Sequence, residues 1–186
     1  MSLLALRDLA CWRGGRLLFE GLSLVLEPGE AMLVTGPNGT GKSSLLRVAA
    51  GLLAPLAGTV TAAPLALADE RPALDPELSL ARALAFWAAP GTVVDQALEQ
   101  VGLEELGEVP VRLLSTGQLR RASLARVAVS GAPLWLLDEP ANGLDADAVE
   151  RLGAMIARHL EGGGGVLAAS HQPLPGAAWT ERGLHP

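Results

Sequence analysis

Tyrosine is absent from this sequence, cysteine occurs once, and a single lysine, Lys42, stands among arginines. One cysteine, Cys11, rules out an internal disulfide framework and suits a reducing compartment. No apolar run approaches the ~18 residues of a membrane helix, so no segment is expected to span a bilayer alone. The opening residues, MSLLALRDLACWRGG, carry acidic Asp8 and no basic flank before the apolar stretch, which argues against a signal peptide. Positive charge is also scarce. The formal net charge of -6 excludes the basic footprint of a nucleic-acid binder. Aromatics reach only 3% against 49% hydrophobic residues, so the core must be built from Leu, Ala and Val. A chain of 186 residues is long enough to bury such a core and reads as one domain. The preference for arginine reads as compositional bias, and the exception at Lys42 needs a local reason.

Periodicity organises the rest. LSLVLEPGEAMLVT reads as two strands, Leu22 to Leu26 and Ala31 to Thr35, joined by a Pro-Gly turn. After a glycine-rich loop, Lys42 to Ala50 is expected to be a short buried helix ending at Gly51. Between Ser79 and Gly107, Leu80, Leu84, Trp87, Val94, Leu98 and Val101 recur at helical spacing, which predicts a small helical insert. Gln118 to Ala128 reads as a helix with Arg120, Arg121 and Arg126 as its basic side, and the Arg120-Arg121 pair reads as a solvated face or as packing on a partner. LWLLD, Leu134 to Asp138, is a continuous apolar run ending in acid, as expected of a buried parallel strand. Ala146 to Leu160 is amphipathic and helical, and Val166 to Ala169 is a further buried strand leading to Ser170-His171. Strands alternating with helices imply a parallel α/β sheet, with ligands at the carboxyl ends of its strands.

Three short stretches carry chemistry. Gly36-Pro37-Asn38-Gly39-Thr40-Gly41-Lys42-Ser43 fits G-x-x-x-x-G-K-[ST] between a strand and a helix, with Ser44 following. Its glycines let backbone N–H groups face phosphate, and a helix N-terminus adds positive potential. Lysine suits the place because it is a compact charge on a thin stem, whereas arginine is a wide fork. Ser43 offers a hydroxyl to Mg²⁺, and Asp138 is placed to hold the same ion. Glu139, one residue further out, can take a proton from an attacking water. Ser115-Thr116-Gly117-Gln118 precedes a helix and reads as a second anion site or, taken alone, as an ordinary N-cap; its order before LLDEP favours the anion site. Two phosphate sites on one chain make sense if two chains pair head to tail.

GPNGTGKS, LSTGQ, LLDEP, ANGLD and SH, in this order over nearly the whole chain, resemble the ATP-binding subunits of ABC transporters. The resemblance implies a P-loop NTPase (RecA-like) parallel core with a small N-terminal antiparallel β part and a helical signature subdomain at about 76–130, within a single domain of residues 1–186. It implies ATP and Mg²⁺ as cofactors and a homodimer closed through ATP. It also implies an integral membrane permease as partner, with the chain cytoplasmic and peripheral on the inner face of the membrane. By the same resemblance Lys42, Glu139 and His171 are catalytic. Ser115, Thr116 and Gly117, with Gln118, meet the partner's ATP, and Asn142, Gly143, Leu144 and Asp145 form the loop crossing to the partner. Trp12, 24 positions before Gly36, matches an adenine-stacking aromatic or is a plain strand residue. Flanking stretches such as RGGRLLFEGLSLVLEPGE and SHQPL most resemble the ATPase of the haem exporter of cytochrome c maturation.

Two departures stand out. Thr116 occupies a position that is usually glycine. The glutamine normally found between the loop and the helical insert is missing, with Glu70 or Arg71 near its place. Glu70 has oxygen to offer Mg²⁺; Arg71 has none. A soluble ABC ATPase, a small P-loop kinase and a weakly active subunit stand as alternatives. His159 reads as a cation suiting a helix C-terminus, His185 as part of a tail, Trp87 and Trp135 as packing residues, and Cys11 as a small buried one.

Overall fold

In the computed structural model, which describes residues 1–184, the chain forms two sheets and the helices packed on them. β1 (Leu4–Arg13), β2 (Arg16–Leu26) and β4 (Ala57–Ala62) make an antiparallel sheet in the order β2-β1-β4. β5 (Leu65–Ala68), β6 (Leu134–Asp138), β7 (Gly165–Ala169), β3 (Ala31–Thr35) and β8 (Thr180–Gly183) make a parallel sheet in that order. Helix α1 (Lys42–Ala49) packs between the two sheets; α2 (Leu80–Ala85), α3 (Val94–Gln100), α4 (Thr116–Val129) and α5 (Ala146–Glu161) cover the far side. His185 lies outside the described residues. Among those described, no helix is long and apolar enough to cross a membrane.

The side-chain period of two decides which core each strand residue enters. Leu134 and Leu136 join the α1 side, while Trp135 and Leu137 face α2–α5. Every residue of β6 and β7 is buried, as a sheet covered on both faces requires. β2 alternates instead, because its sheet has one wet face. In α5, Ala148, Leu152, Met155 and Ile156 recur at three and four residues and face the core. Each fully buried leucine contributes about 1.5–3 kcal/mol by the usual transfer scale.

The two expected strands around Pro28-Gly29 are not partners. β2 pairs with β1 and β3 with β7, so the turn carries the chain from one sheet to the other. Alternation told the strands apart but not which neighbour each would take. β8 was not anticipated, being four exposed and largely polar residues at the sheet edge. The helical insert is broken in two: Trp87 follows α2, and Val101 follows α3.

Parallel pairing sets four strand ends on one edge. Thr35 leads to the glycine loop, Ala68 to Asp69-Glu70, Asp138 to Glu139, and Ala169 to Ser170-His171. That edge is where ligands bind in such sheets.

Candidate nucleotide site

The loop from Gly36 to Gly41 is held by its own geometry. Gly36 has φ 145°, and a Cβ there would lie 2.7 Å from the Leu184 carbonyl, so no other residue fits. Gly41, with φ 105°, precedes α1, and a Cβ there would lie 3.0 Å from Leu18 Cβ. No side chain caps α1 and no acid lies in its first turn, so its first N–H groups are free to meet an anion. Lys42 is buried in the loop, its Nζ donating to the carbonyls of Gly36 (2.7 Å) and Pro37 (3.3 Å). Thr40 Oγ1 donates to Pro37 O at 2.9 Å and tightens the turn.

A cleft of about 570 Å³ opens over this loop, lined by Asn38, Gly39, Lys42, Ser43, Ser44, Glu70 and Glu139. Its far wall is basic. Arg16 donates to Gly39 O at 2.7 Å, and Arg13 donates to Ser44 Oγ at 3.2 Å. Sequence reading missed both arginines; the signal was a charge on each side of the Gly14-Gly15 turn, next to the expected aromatic. Trp12 itself stands 55% exposed on β1, paired with Leu17, beside the cleft wall rather than among its lining residues.

The acid end of β6 faces Ser43 across a second lobe of about 340 Å³. Asp138 is buried, and its Oδ1 has no hydrogen-bond partner among the described residues. Burial pushes its carboxyl pKa up, and the neighbouring Ser43 hydroxyl pulls it partly back. An orphaned buried carboxylate oxygen beside a serine hydroxyl is a hard-oxygen donor set, which fits Mg²⁺. No cluster of three or more His, Cys, Asp or Glu able to hold a metal occurs among the described residues, so such an ion would need further oxygens from nucleotide. Glu70 lines both lobes with Ser43 and Glu139; Asp69 lines only the second, with its carboxylate on Arg47 at 3.5 Å. Arg71 is exposed and lines neither lobe.

Glu139 adopts φ 47°, left-handed and rare for a side chain of its size. Such a conformation costs on the order of 1–3 kcal/mol and persists only where surrounding contacts enforce it. Its N–H donates to Ala169 O at 2.8 Å, and its carbonyl accepts from Asn142 N at 3.1 Å. Its carboxylate reaches His171, with Oε2 2.8 Å from the ring Nδ1. The fold thus joins two residues 32 positions apart that sequence reading had named separately.

At the start of α4, Ser115 Oγ accepts from Gln118 N (3.3 Å) while Gln118 Oε1 accepts from Ser115 N (2.8 Å), a complete capping box. Thr116 lines the second lobe with Asp138, Asn142 and Gly143, and a Cβ on Gly117 would lie 3.4 Å from Gly143 O. Of the loop expected to cross to a partner, Asn142 and Gly143 are exposed. Leu144 packs on the core, and Asp145 caps α5 through Ala148 N at 2.9 Å.

Comparison with known proteins settles the family. A match to the ABC transporter family spans residues 19–142. The chain belongs to the ABC transporter family. It is 59% identical over 177 residues to the cytochrome c biogenesis ATP-binding export protein CcmA of Sphingopyxis alaskensis, covering 92% of this chain and 91% of that one. The protein of the same name from Novosphingobium aromaticivorans is 55% identical, with 90% and 87% covered. Among solved structures, a putative ABC transporter ATP-binding protein from Pyrococcus furiosus superposes with a TM-score of 0.84 at 25% identity, covering 98% and 97%. This ABC chain therefore binds ATP and hydrolyses it in a transport-coupled cycle.

One feature departs from the sequence reading of this ABC chain. The arginines of α4 are not a solvated face. Arg126 is buried, donates to Pro72 O (2.9 Å) and Leu67 O, and lies 4.9 Å from the Trp87 ring centre. Arg121 donates to Val101 O (3.0 Å) and Gly102 O (2.8 Å). Arg120 donates to Asp69 O (2.9 Å) and to the carbonyls of Asp138 and Glu139. Burial lowers the pKa of Arg120 and of Arg126, with nearby carboxylates partly restoring it. Arginines one, five and six residues apart look like a polar face on paper. Here each donates to backbone carbonyls of other segments. His159, in the last turn of α5, stacks on Trp135 at 3.7 Å, and burial lowers its pKa, which disfavours the cation expected there. Trp135 is the packing residue expected.

Proposed function

We propose that this chain is the ATP-hydrolysing subunit of an exporter serving cytochrome c biogenesis, and that its cargo is haem. Two copies close on ATP, and their motion drives a separate permease in the membrane, with the chain peripheral on the cytoplasmic face. The name and near-complete coverage of the relatives support the cargo class. The open α1 terminus and the exposed Ser115-Thr116 turn on one chain support the head-to-tail pair. Residues 76–130 act as the helical subdomain of a single domain, presenting the signature turn.

The contact of Glu139 with His171, beside Asp138 and across the cleft from Lys42, carries the reading of the chemistry. ATP phosphates lie on the N–H groups of Gly39 to Ser44, and Lys42 moves from loop carbonyls to the β/γ oxygens. At about 4 Å and an effective dielectric near 20, one such charge pair is worth on the order of 4 kcal/mol. Ser43 and Asp138, with Glu70 at the rim, hold Mg²⁺. The bound ion supplies positive charge to the β and γ phosphates. Glu139 takes the proton of a water whose oxygen bonds to the γ-phosphorus as the bond to the ADP oxygen breaks. His171 orients Glu139 and reaches the γ-phosphate. Ser115, Thr116 and Gly117 of one copy, with Gln118 bracing the turn, close over the ATP of the other, and Asn142 to Asp145 meet the partner. Exposed Trp12 offers a face to adenine.

Glu139→Gln tests this assignment. Phosphate release should fall by about 10²- to 10⁴-fold, the usual weight of a general base, with ATP binding retained. Near-normal turnover in that variant would sink the role given to Glu139.

A further inference from the structure

We infer that Arg120 is a positioning residue that holds Glu139 in its left-handed, reactive conformation and ties it to the Asp69-Glu70 segment. The inference rests on the reading of Glu139 as the base. Three carbonyls from two strand ends converge on one guanidinium: Asp69 O after β5, and Asp138 O and Glu139 O after β6. Both carbonyls flanking the Glu139 N–Cα–C unit are thereby turned toward α4. With its N–H on Ala169 O and its own carbonyl also on Asn142 N, the residue is fixed at φ 47°. Its side chain then meets His171 Nδ1 at 2.8 Å.

Only a planar fork serves this purpose. A guanidinium donates along several fixed directions, whereas an ammonium is a point charge and an amide has one NH₂ group. Arg120 also sits in the first turns of α4, five residues after Ser115, and lines the lobe with Glu70 and Glu139. It therefore fastens the signature helix, the Glu70 segment and the catalytic carboxylate to one point. A displacement of the Asp69-Glu70 segment moves an acceptor of the same guanidinium that holds Glu139.

Steady-state ATP hydrolysis by Arg120→Lys and Arg120→Gln, each beside wild type, tests the inference. A misplacement near 1 Å in a catalytic group costs on the order of 100-fold, so kcat should fall by about that factor while KM for ATP stays nearly unchanged. Arg120→Lys keeps charge and stem and carries the test if Arg120→Gln fails to fold. Placing Arg120→Lys in the Glu139→Gln background should cause no further loss, since both changes remove the same step. A lowered Tm with wild-type kcat, or an additive loss in the double variant, would overturn the inference. Retained turnover in Glu139→Gln alone would instead overturn the reading of the base.

Discussion

Two helices in this chain begin at glycine-rich or small-residue turns, and they begin differently. α1 starts from Gly41 with no side chain on its first N–H groups. α4 starts from Ser115, whose hydroxyl and the Gln118 amide close each other's backbone partners. The first terminus is open to an anion from outside; the second is capped by its own exposed serine. The cations differ in the same way. Lys42 rests on two carbonyls of its own loop, contacts that a phosphate can replace. Arg120 holds carbonyls of two other segments, and replacing them would undo the structure around it. An open site needs a thin, movable charge, and a brace needs a fork, which explains the lone lysine in an arginine-rich chain.

That contrast can be broken from either side. The largest effect belongs to Lys42→Arg. If the loop excludes a fork, ATP affinity should drop roughly 10- to 100-fold, the loss of one charge-assisted hydrogen bond. Titration with a fluorescent nucleotide reads this directly, and unchanged affinity would remove the argument for lysine. Ser115→Ala acts on the other helix. It should cost about 1 kcal/mol of stability as a lost N-cap, visible in Tm. Binding of ATP by the isolated chain should be intact, while turnover falls about tenfold through the lost hydroxyl. Weakened ATP binding by single Ser115→Ala chains would place the hydroxyl in the wrong half of the site. Gln118→Ala is the mildest, removing only the acceptor for Ser115 N–H, for roughly 0.5 kcal/mol. A larger fall in denaturation midpoint would mean that Gln118 braces more than its own turn.

The open site was legible because it is local. Strand, loop and helix follow one another within Ala31 to Ala49, and the spacing of Gly36, Gly41 and Lys42 fixes the chemistry without any distant contact. LWLLD announced both its burial and its acid end. The brace was not legible, because its meaning lies in residues 18 to 51 positions away. Arg120, Arg121 and Arg126 have the spacing of a wet helix face until their acceptors are known. The pairing of β3 with β7 and the stacking of His159 on Trp135 were hidden for the same reason: each joins positions far apart in the chain. Arg13 and Arg16 were legible only as charges, since the hairpin that brings them over Gly39 is itself a tertiary arrangement.

The central claim is that each chain carries two half sites, an open one at α1 and a self-capped one at α4, completed only by a second copy. Light scattering on the Glu139→Gln chain, with and without Mg²⁺ and ATP, tests it most directly. The mass of two chains should appear with ATP and that of one chain without it, and adding Ser115→Ala should weaken the pair. A single-chain mass at saturating ATP would contradict the account.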